Sequence, residues 1–182
     1  LSSFLLGTVV GWPGFAPFER QQPASVKQPT NGVYLYSFPQ NMAAQLRVEL
    51  AGGRAGDRIH FRCGEHKNAQ DRLFGGYVVG CEVVTDGQPL THQWGSFYLG
   101  MQFVEVTGAV PADQPNPERL PVIRRLTLVN VRNALPETGT FHCSSDLYNG
   151  THRIIDAAMR ANMSWVLTDC PHREKLGWLE CA

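Results

Sequence analysis

The side chains best suited to chemistry lie close together near the end of the chain, in residues 168–180, TDCPHREKLGWLE. This segment, called the acid-rich loop below, holds three carboxylates, one guanidinium, one imidazole and one indole, and contains a proline and a glycine. Glycoside hydrolysis requires one carboxylic acid to protonate the leaving oxygen and a second carboxylate on the other side of the sugar. Aromatic faces and Arg or Asp side chains hold the apolar patches and hydroxyls of the ring. The composition of the loop therefore indicates a sugar-cleaving site.

The same residue types allow two other interpretations of the acid-rich loop. Asp169 and Glu174 would suit an N-cap and a first-turn acid, because Pro171 and flanking acids are signals of a helix start. Cys170 and His172 offer a thiol nucleophile and an imidazole base, but no third group that would orient the base is evident. We therefore expect Cys170 to be a small buried residue. The spacing of the histidines and cysteines fits no metal site, and the sequence predicts no cofactor.

The length and charge of the chain limit what the loop can do. At 182 residues the chain can form one substantial domain and part of another. Sixteen acidic and sixteen basic side chains balance, so charge gives no reason to expect nucleic acid or an anionic membrane as partner. No apolar run is long enough to cross a bilayer. The chain begins with Leu and ends just after the acid-rich loop, so we expect a fragment of a longer protein.

The elements that must position the loop are predicted to be mainly short β-strands. β-Formers bounded by turn signals predict strands at 33–38, 45–50, 58–63, 77–84, 97–106 and 120–131. Strict alternation in two of them predicts two inward-facing sets, Leu46, Val48 and Leu50, and Ile59, Phe61 and Cys63. Residues 39–41 are expected to interrupt the first two strands, and residues 11–32 to be irregular. This pattern predicts an antiparallel β-sandwich.

A change from strand to helix periodicity marks a second region. The cluster at 144–146 offers an N-cap, and apolar residues at helical spacing predict a helix to about residue 163, with Asp156 and Arg160 as an ion pair on its outer face. Residues 1–10 are apolar but lack the features of an intact signal peptide, so we expect a buried strand or a truncated element there. The residues thus predict an irregular or truncated N-terminal segment at 1–30, a β-sandwich domain that begins at 31, and the truncated start of a helical domain near residue 144.

Several ordered motifs resemble one known family. They are NGVYLYSFPQNMA at 31–43, AGGRAGDRI at 51–59 followed by Gly64 and Glu65, GMQFVEV at 100–106, GTFHCSS at 139–145 and TDCPHREKLGW at 168–178. In this order they are similar to the strand–turn segments, the start of the catalytic helical domain and the signature loop of the bacterial α-L-rhamnosidases, glycoside hydrolase family 78. The resemblance implies a β-sandwich domain at 31–135 that leads into an (α/α)6 barrel, of which residues 136–182 supply the truncated start with the first helix and the catalytic loop.

The resemblance also implies roles for residues of the acid-rich loop. Glu174 takes the place of the general acid, Asp169 and Arg173 match positions that contact rhamnose, and Trp178 matches the aromatic residue that packs on the sugar. His172 is expected to reach the sugar or to orient Asp169, with simple packing as the alternative. No metal and no cofactor is implied.

One position departs from the family pattern. Many members carry an Asp that touches the sugar where this chain has Cys181, and the nearest carboxylate, Glu180, is one residue early. We expect Glu180 to substitute for that Asp as a substrate-binding residue.

The implied reaction removes terminal α-L-rhamnose from rhamnose-containing glycosides or oligosaccharides by an inverting acid/base mechanism. Inversion needs a second carboxylate to activate water, and the family places it beyond Ala182. Burial beside Trp178 and the neighbouring carboxylates of Asp169 and Glu180 are expected to raise the pKa of Glu174 and keep it protonated. A single helix cannot enclose a pocket, so we expect these 182 residues alone to be inactive.

A non-catalytic carbohydrate-binding β-sandwich module is the second hypothesis. Such a module needs exposed aromatic side chains on one sheet face or in its loops. Tyr34, Tyr36, Tyr77 and Tyr98 are the candidates, and packing in the interior is the alternative for each of them.

Overall fold

The computed structural model describes residues 15–95, 98–134, 138–164 and 166–177. Over these residues the chain forms nine β-strands and one helix. The strands are Phe15–Gln21 (β1), Ser25–Thr30 (β2), Val33–Ala51 (β3), Ala55–Gly64 (β4), Val79–Asp86 (β5), Leu90–Gln93 (β6), Leu99–Thr107 (β7), Val110–Pro111 (β8) and Val122–Asn133 (β9), and the helix α1 spans Asp146–Asn162. The prediction of a mainly β fold is confirmed, whereas the predicted element at 1–10 lies outside the described residues.

The strands form a curled sheet in the order β1-β9-β3-β7-β4-β5, with β2 and β6 added to β3 and β8 added to β9. All pairings are antiparallel except that of β8 with β9. The long strand β3 belongs to both halves of the sheet: its first half pairs with β2 and β7, and its second half pairs with β6 and β9. The two layers of the sandwich are therefore joined through one shared strand.

Two sequence-based predictions of irregular structure are wrong. The segment at 39–41 does not end a strand, because β3 continues through it with a register shift between Ser37 and Met42. Pro39 cannot donate to a ladder, and a bulge is where a sheet accommodates such a residue. The segment at 11–32 contains β1 and β2. Proline and polar residues in both strands removed the alternating pattern that would have predicted them. Like β3 near Pro39, β1 has a register shift next to a proline, between Pro17 and Arg20.

The core is built from the alternating residues that the sequence singles out. Leu46, Val48 and Leu50 are at most 3% exposed, and the Ile59, Phe61 and Cys63 set is fully buried. They join one cluster with residues of β7 and β9, so the inward faces predicted for β3 and β4 are confirmed. Burying a large apolar side chain contributes about 1.5–3 kcal/mol, and this cluster is therefore the main source of the free energy that holds the sheet curled.

A buried carboxylate ties the loop after β4 to the sheet. Glu105 of β7 is 2% exposed, and its carboxylate accepts hydrogen bonds from Arg62 at 2.9 Å and from Arg72 Nε at 2.8 Å. Burial acts to raise the pKa of Glu105, but the hydrogen bonds and positive charges of Arg72 and Arg62 outweigh it and lower the pKa. Because Arg72 lies in the loop, the pairing holds the chain that follows Gly64 against β7.

The helix α1 follows Ser145, as predicted, and the predicted ion pair between Asp156 and Arg160 is present at 2.7 Å. Arg160 also reaches Glu19 of β1 at 3.3 Å. No residue of α1 is buried. Apolar side chains of the helix are exposed instead, namely Leu147, Tyr148, Ile154, Ile155 and Met159. Over the described ranges, no helix has both the length and the apolar character of a membrane span.

Candidate active site

The acid-rich loop, described as far as residue 177, is closed on itself by two hydrogen bonds. The Asp169 amide donates to the Leu176 carbonyl at 3.0 Å, and the Leu176 amide donates to Asp169 Oδ1 at 3.1 Å. Thr168 connects the loop to the end of α1, because its amide donates to the Asn162 carbonyl at 2.9 Å. No helix forms between residues 168 and 177. The helix-start interpretation of Asp169 and Glu174 is therefore wrong for this segment.

The closed loop brings three of the predicted site residues together. Arg173 donates to both oxygens of Glu174, with Nη2–Oε1 at 2.8 Å and Nε–Oε2 at 3.2 Å. The Cys170 thiol donates to Glu174 Oε2 at 3.2 Å. Asp169, Cys170 and Glu174 place one potential ligand atom each within 4.8 Å of one another. Hydrogen bonds inside the loop account for this cluster, and no sequence spacing indicated it.

The electrostatic surroundings of Glu174 differ from the prediction. Its pKa is lowered, first by the hydrogen bond from the Cys170 thiol, then by a backbone hydrogen bond and by the hydrogen bond and charge of Arg173. The side chain is 39% exposed, so burial does little to oppose these effects. The prediction of a raised pKa is wrong for the described chain, because Cys170 and Arg173 donate hydrogen bonds directly to Glu174, although an Asp169 oxygen also lies within 4.8 Å. Trp178 and Glu180, which the prediction invoked, lie outside the described residues.

Replacing the cation beside Glu174 should return its pKa toward the ordinary range. In Arg173→Met we expect the pKa of Glu174 to rise, because one bidentate donor and its charge are removed. Carboxyl ¹³C NMR titration measures this, with Arg124→Met on β9 as the control. A lowered pKa means that the charged form is favoured at all pH values above it, and that this contribution is lost as the pH falls through the folded-state pKa. An unchanged Glu174 pKa in Arg173→Met would contradict the assignment of Arg173 as a cause of the lowered pKa.

The thiol–imidazole interpretation is not supported by the geometry. The Cys170 thiol is engaged with Glu174, and the Nδ1 of His172 lies 3.8 Å from Glu65 Oε2. Cys170 is partly buried, as His172 is. The nearest charged partner of His172 is therefore on the sheet rather than in the loop.

Contacts with the sheet hold the acid-rich loop, and these were missed from sequence. The Lys175 ammonium donates to the Tyr98 carbonyl at 2.7 Å and lies 4.9 Å from the centre of the Tyr98 ring. Burial lowers the pKa of Lys175. The only sequence signal was indirect: Glu65 and Gly100 belong to the motifs at 64–65 and 100–106, at the ends of two predicted strands.

Two cavities lie between α1 and the sheet. The larger, about 520 Å³, has a polar lining that includes Glu19, Asn130 and Arg153. The smaller, about 140 Å³, is lined by Glu65 and Pro171 among others. Glu174 lines neither cavity, so the described residues do not by themselves enclose the predicted acid.

The aromatic residues of the second hypothesis are mostly unavailable for binding a sugar. Tyr34 and Tyr36 are 6% and 4% exposed and belong to the core cluster. Tyr98 is half-buried and is covered by Lys175, whereas Tyr77 is exposed. The described residues do not form the aromatic platform on one sheet face that a carbohydrate-binding module needs.

Comparison with known proteins finds relatives both of the segment that contains this loop and of most of the chain. The sequence profile of the bacterial alpha-L-rhamnosidase 6 hairpin glycosidase domain matches residues 136–182. An alpha-L-rhamnosidase of Formosa agariphila is 25% identical over 178 residues, which are 92% of this chain and 18% of the relative. One from Streptomyces avermitilis is 29% identical over 167 residues, 87% of this chain and 15% of the relative. Residues 136–182 thus match the α-L-rhamnosidase glycosidase domain, and most of the chain is similar in sequence to α-L-rhamnosidases.

Structural similarity to α-L-rhamnosidases covers both the sheet and the helix region. The crystal structure of the Streptomyces avermitilis α-L-rhamnosidase complexed with L-rhamnose matches with a TM-score of 0.75 at 26% identity, over 91% of this chain and 16% of that one. The resemblance to α-L-rhamnosidases predicted from sequence is confirmed. The chain spans less than a fifth of the length of the curated relatives it matches.

Proposed function

We propose that this chain is part of an α-L-rhamnosidase that removes terminal α-L-rhamnose from rhamnosides with inversion, and that Glu174 is its general acid. The observation that carries the proposal is the joining of Glu174, Asp169 and Arg173 in one closed loop, within the segment that matches the glycosidase-domain profile. We further propose a β-sandwich domain at 31–135 and the start of an (α/α)6 barrel at 136–182.

The loop geometry supports distinct substrate roles for Asp169 and Arg173. Asp169 uses Oδ1 to accept the Leu176 amide, which fixes the carboxylate and directs its remaining acceptor capacity to a sugar hydroxyl. Arg173 has five N–H donors, of which two point to Glu174, and the others are suited to further hydroxyls. Trp178 as the packing surface, Glu180 as a further hydroxyl partner and His172 as a contact of the sugar or of Asp169 complete the proposal.

A proton donor must be protonated when the glycosidic bond breaks, and in this chain Arg173 and Cys170 hold Glu174 in its charged form. We therefore propose that the pKa of Glu174 rises when the remainder of the barrel buries it and brings the catalytic base near. In an inverting enzyme the two carboxyl groups are about 6.5–9.5 Å apart. A sugar hydroxyl that accepts from Arg173 would weaken the ion pair further. These 182 residues alone are then inactive, because they lack both effects and the base.

Product stereochemistry tests the proposed reaction. The full-length protein should hydrolyse an aryl α-L-rhamnoside but not the matching aryl β-D-glucoside. Proton NMR in the first minutes should show β-L-rhamnose as the initial product, since inversion converts the α anomer. The 182-residue chain, assayed in parallel, should release no aryl alcohol above the buffer rate. Initial release of the α anomer would overturn the inverting mechanism, and hydrolysis by the short chain would overturn the need for the remaining barrel.

A further inference from the structure

Four residues in or directly next to strands of the sheet, distant from one another in sequence, lie together against the acid-rich loop. We call this set the docking edge: Asn41, Glu65, Tyr98 and Gly100. Asn41 lies at the bulge of β3, Glu65 directly follows β4, and Gly100 is the second residue of β7. The Asn41 amide donates to Glu65 Oε1 at 2.8 Å, and the Glu65 side chain is only 18% exposed. The carboxylate is therefore oriented by the sheet itself.

The contact between the docking edge and the loop leaves no room for a side chain at Gly100. A Cβ built there would lie 2.6 Å from Glu65 Oε1 and 3.1 Å from the Cγ of Pro171. The β7 backbone at Gly100 is therefore in close contact with both the Glu65 carboxylate and Pro171 of the loop. Glycine is the residue that permits such a close approach.

Two side chains of the loop reach the docking edge on either side of Glu174. Upstream, His172 has its Nδ1 buried and without a hydrogen-bond partner, at 3.8 Å from Glu65 Oε2. That separation exceeds a hydrogen bond and is within the range of an ion pair. Downstream, Lys175 bonds the Tyr98 carbonyl at 2.7 Å. Lys175 itself has a positive φ of 53°, a left-handed backbone conformation that few non-glycine residues adopt.

We propose that the docking edge is a positioning site for the catalytic loop, with Glu65 as the positioning residue that orients it. Glu65 and Gly100 contact Pro171 and His172 at the start of the loop. Tyr98 contacts Lys175 further along the chain. Arg173 and Glu174 lie between these two contacts in sequence and are therefore held at both sides. The β-sandwich thereby contributes to proton donation without touching the sugar. The kinetic part of this inference rests on the proposed rhamnosidase function, whereas the anchoring of the loop does not.

Amide hydrogen exchange in the full-length protein tests the anchoring of the loop. This test does not depend on enzymatic activity. The amides of Asp169 and Leu176 bond within the loop and report its opening. In Glu65→Ala and in Gly100→Ala these amides should exchange about tenfold faster, because local opening becomes easier. The matched controls are Glu118→Gln in an exposed loop and Gly139→Ala, where a Cβ meets nothing within 4 Å. Exchange within twofold of the parent in both variants, with the controls silent, overturns the inference.

Turnover of an alkyl α-L-rhamnoside, whose leaving oxygen must be protonated, tests the positioning role. We expect Glu65→Ala to lower kcat about 10- to 100-fold, since small misplacements of a catalytic group have effects of that size. Glu65→Gln keeps an oxygen for Asn41 and should recover part of the loss, which a general loss of stability would not produce. Faster exchange with an unchanged kcat overturns the positioning role. If the parent protein hydrolyses no rhamnoside while exchange responds as expected, the proposed function fails and the anchoring stands.

Discussion

Glu174→Gln in the full-length protein is expected to lower kcat for an alkyl α-L-rhamnoside about 10²- to 10⁴-fold, the range that a positioned general acid contributes. Glutamine has nearly the same shape, and its one side-chain oxygen can still accept hydrogen bonds from the Cys170 thiol and Arg173 Nε, so the loop should keep most of its geometry although the bond from Arg173 Nη2 is lost. It cannot give up a proton to the departing oxygen. The measurement is a steady-state assay of both proteins at matched concentration, with correct folding checked by circular dichroism.

The control for this variant is Glu118→Gln, a change of the same kind in the exposed loop before β9. It should leave kcat and KM within twofold of the parent. A Glu174→Gln protein that folds and retains kcat within a few-fold of the parent would remove Glu174 from the reaction.

Gly108→Ala is expected to have the largest effect on the stability of the sheet. Gly108 has a φ of +79°, and a Cβ there would lie 2.1 Å from the carbonyl oxygen of Arg58. The clash is with backbone of β4, which cannot rotate away. Left-handed strain and overpacking together should cost about 3–5 kcal/mol of unfolding free energy. Because a domain of this kind has a total of about 5–15 kcal/mol, we expect a large loss of folded protein in urea unfolding followed by circular dichroism.

Gly32→Ala separates the two contributions. Gly32 has nearly the same φ, +73°, but a Cβ there meets nothing within 4 Å. This variant should therefore lose only the conformational part, about 1–2 kcal/mol. Equal destabilisation by the two substitutions would show that the approach of Gly108 to Arg58 is not a close packing contact.

Local patterns predicted the parts of the fold that depend on local physics. Alternation in the second half of β3 correctly placed Leu46 and Val48 inside, because a strand that covers a core must turn every second side chain inward. The change to helical spacing after Ser145 correctly located α1, together with the ion pair between Asp156 and Arg160. The ordered motifs correctly indicated the resemblance to α-L-rhamnosidases.

Features that depend on distant parts of the chain were missed. The continuity of β3 through Pro39 requires β7 and β9 to pair with its two halves, and nothing near Pro39 encodes those partners. The edge strand β2 has mostly exposed side chains and hence no alternation to detect. The apolar spacing that predicts α1 does not reveal its surroundings: Leu147 and Ile154 are exposed over the described residues.

In the candidate site, too, local sequence predicted some features, whereas those that depend on distant residues were missed. Residue types and spacing brought forward Asp169, Arg173 and Glu174, and the loop does bring them together. The direction of the Glu174 pKa shift was missed because it depends on hydrogen bonds, first from the Cys170 thiol and then from the backbone and Arg173, that the sequence does not show. Glu65 is more than a hundred residues from His172 in sequence, so their proximity follows from the sheet topology alone.

The most direct measurement of the central claim compares two leaving groups in the parent enzyme and in Glu174→Gln. An aryl rhamnoside with a strongly acidic phenol needs little protonation of its leaving oxygen, whereas an alkyl rhamnoside needs it fully. If Glu174 is the proton donor, the substitution should slow the alkyl substrate about 10³-fold and the activated aryl substrate by less than about tenfold. Equal slowing of both substrates would contradict the account, because it would mean that Glu174 serves binding or folding rather than proton transfer.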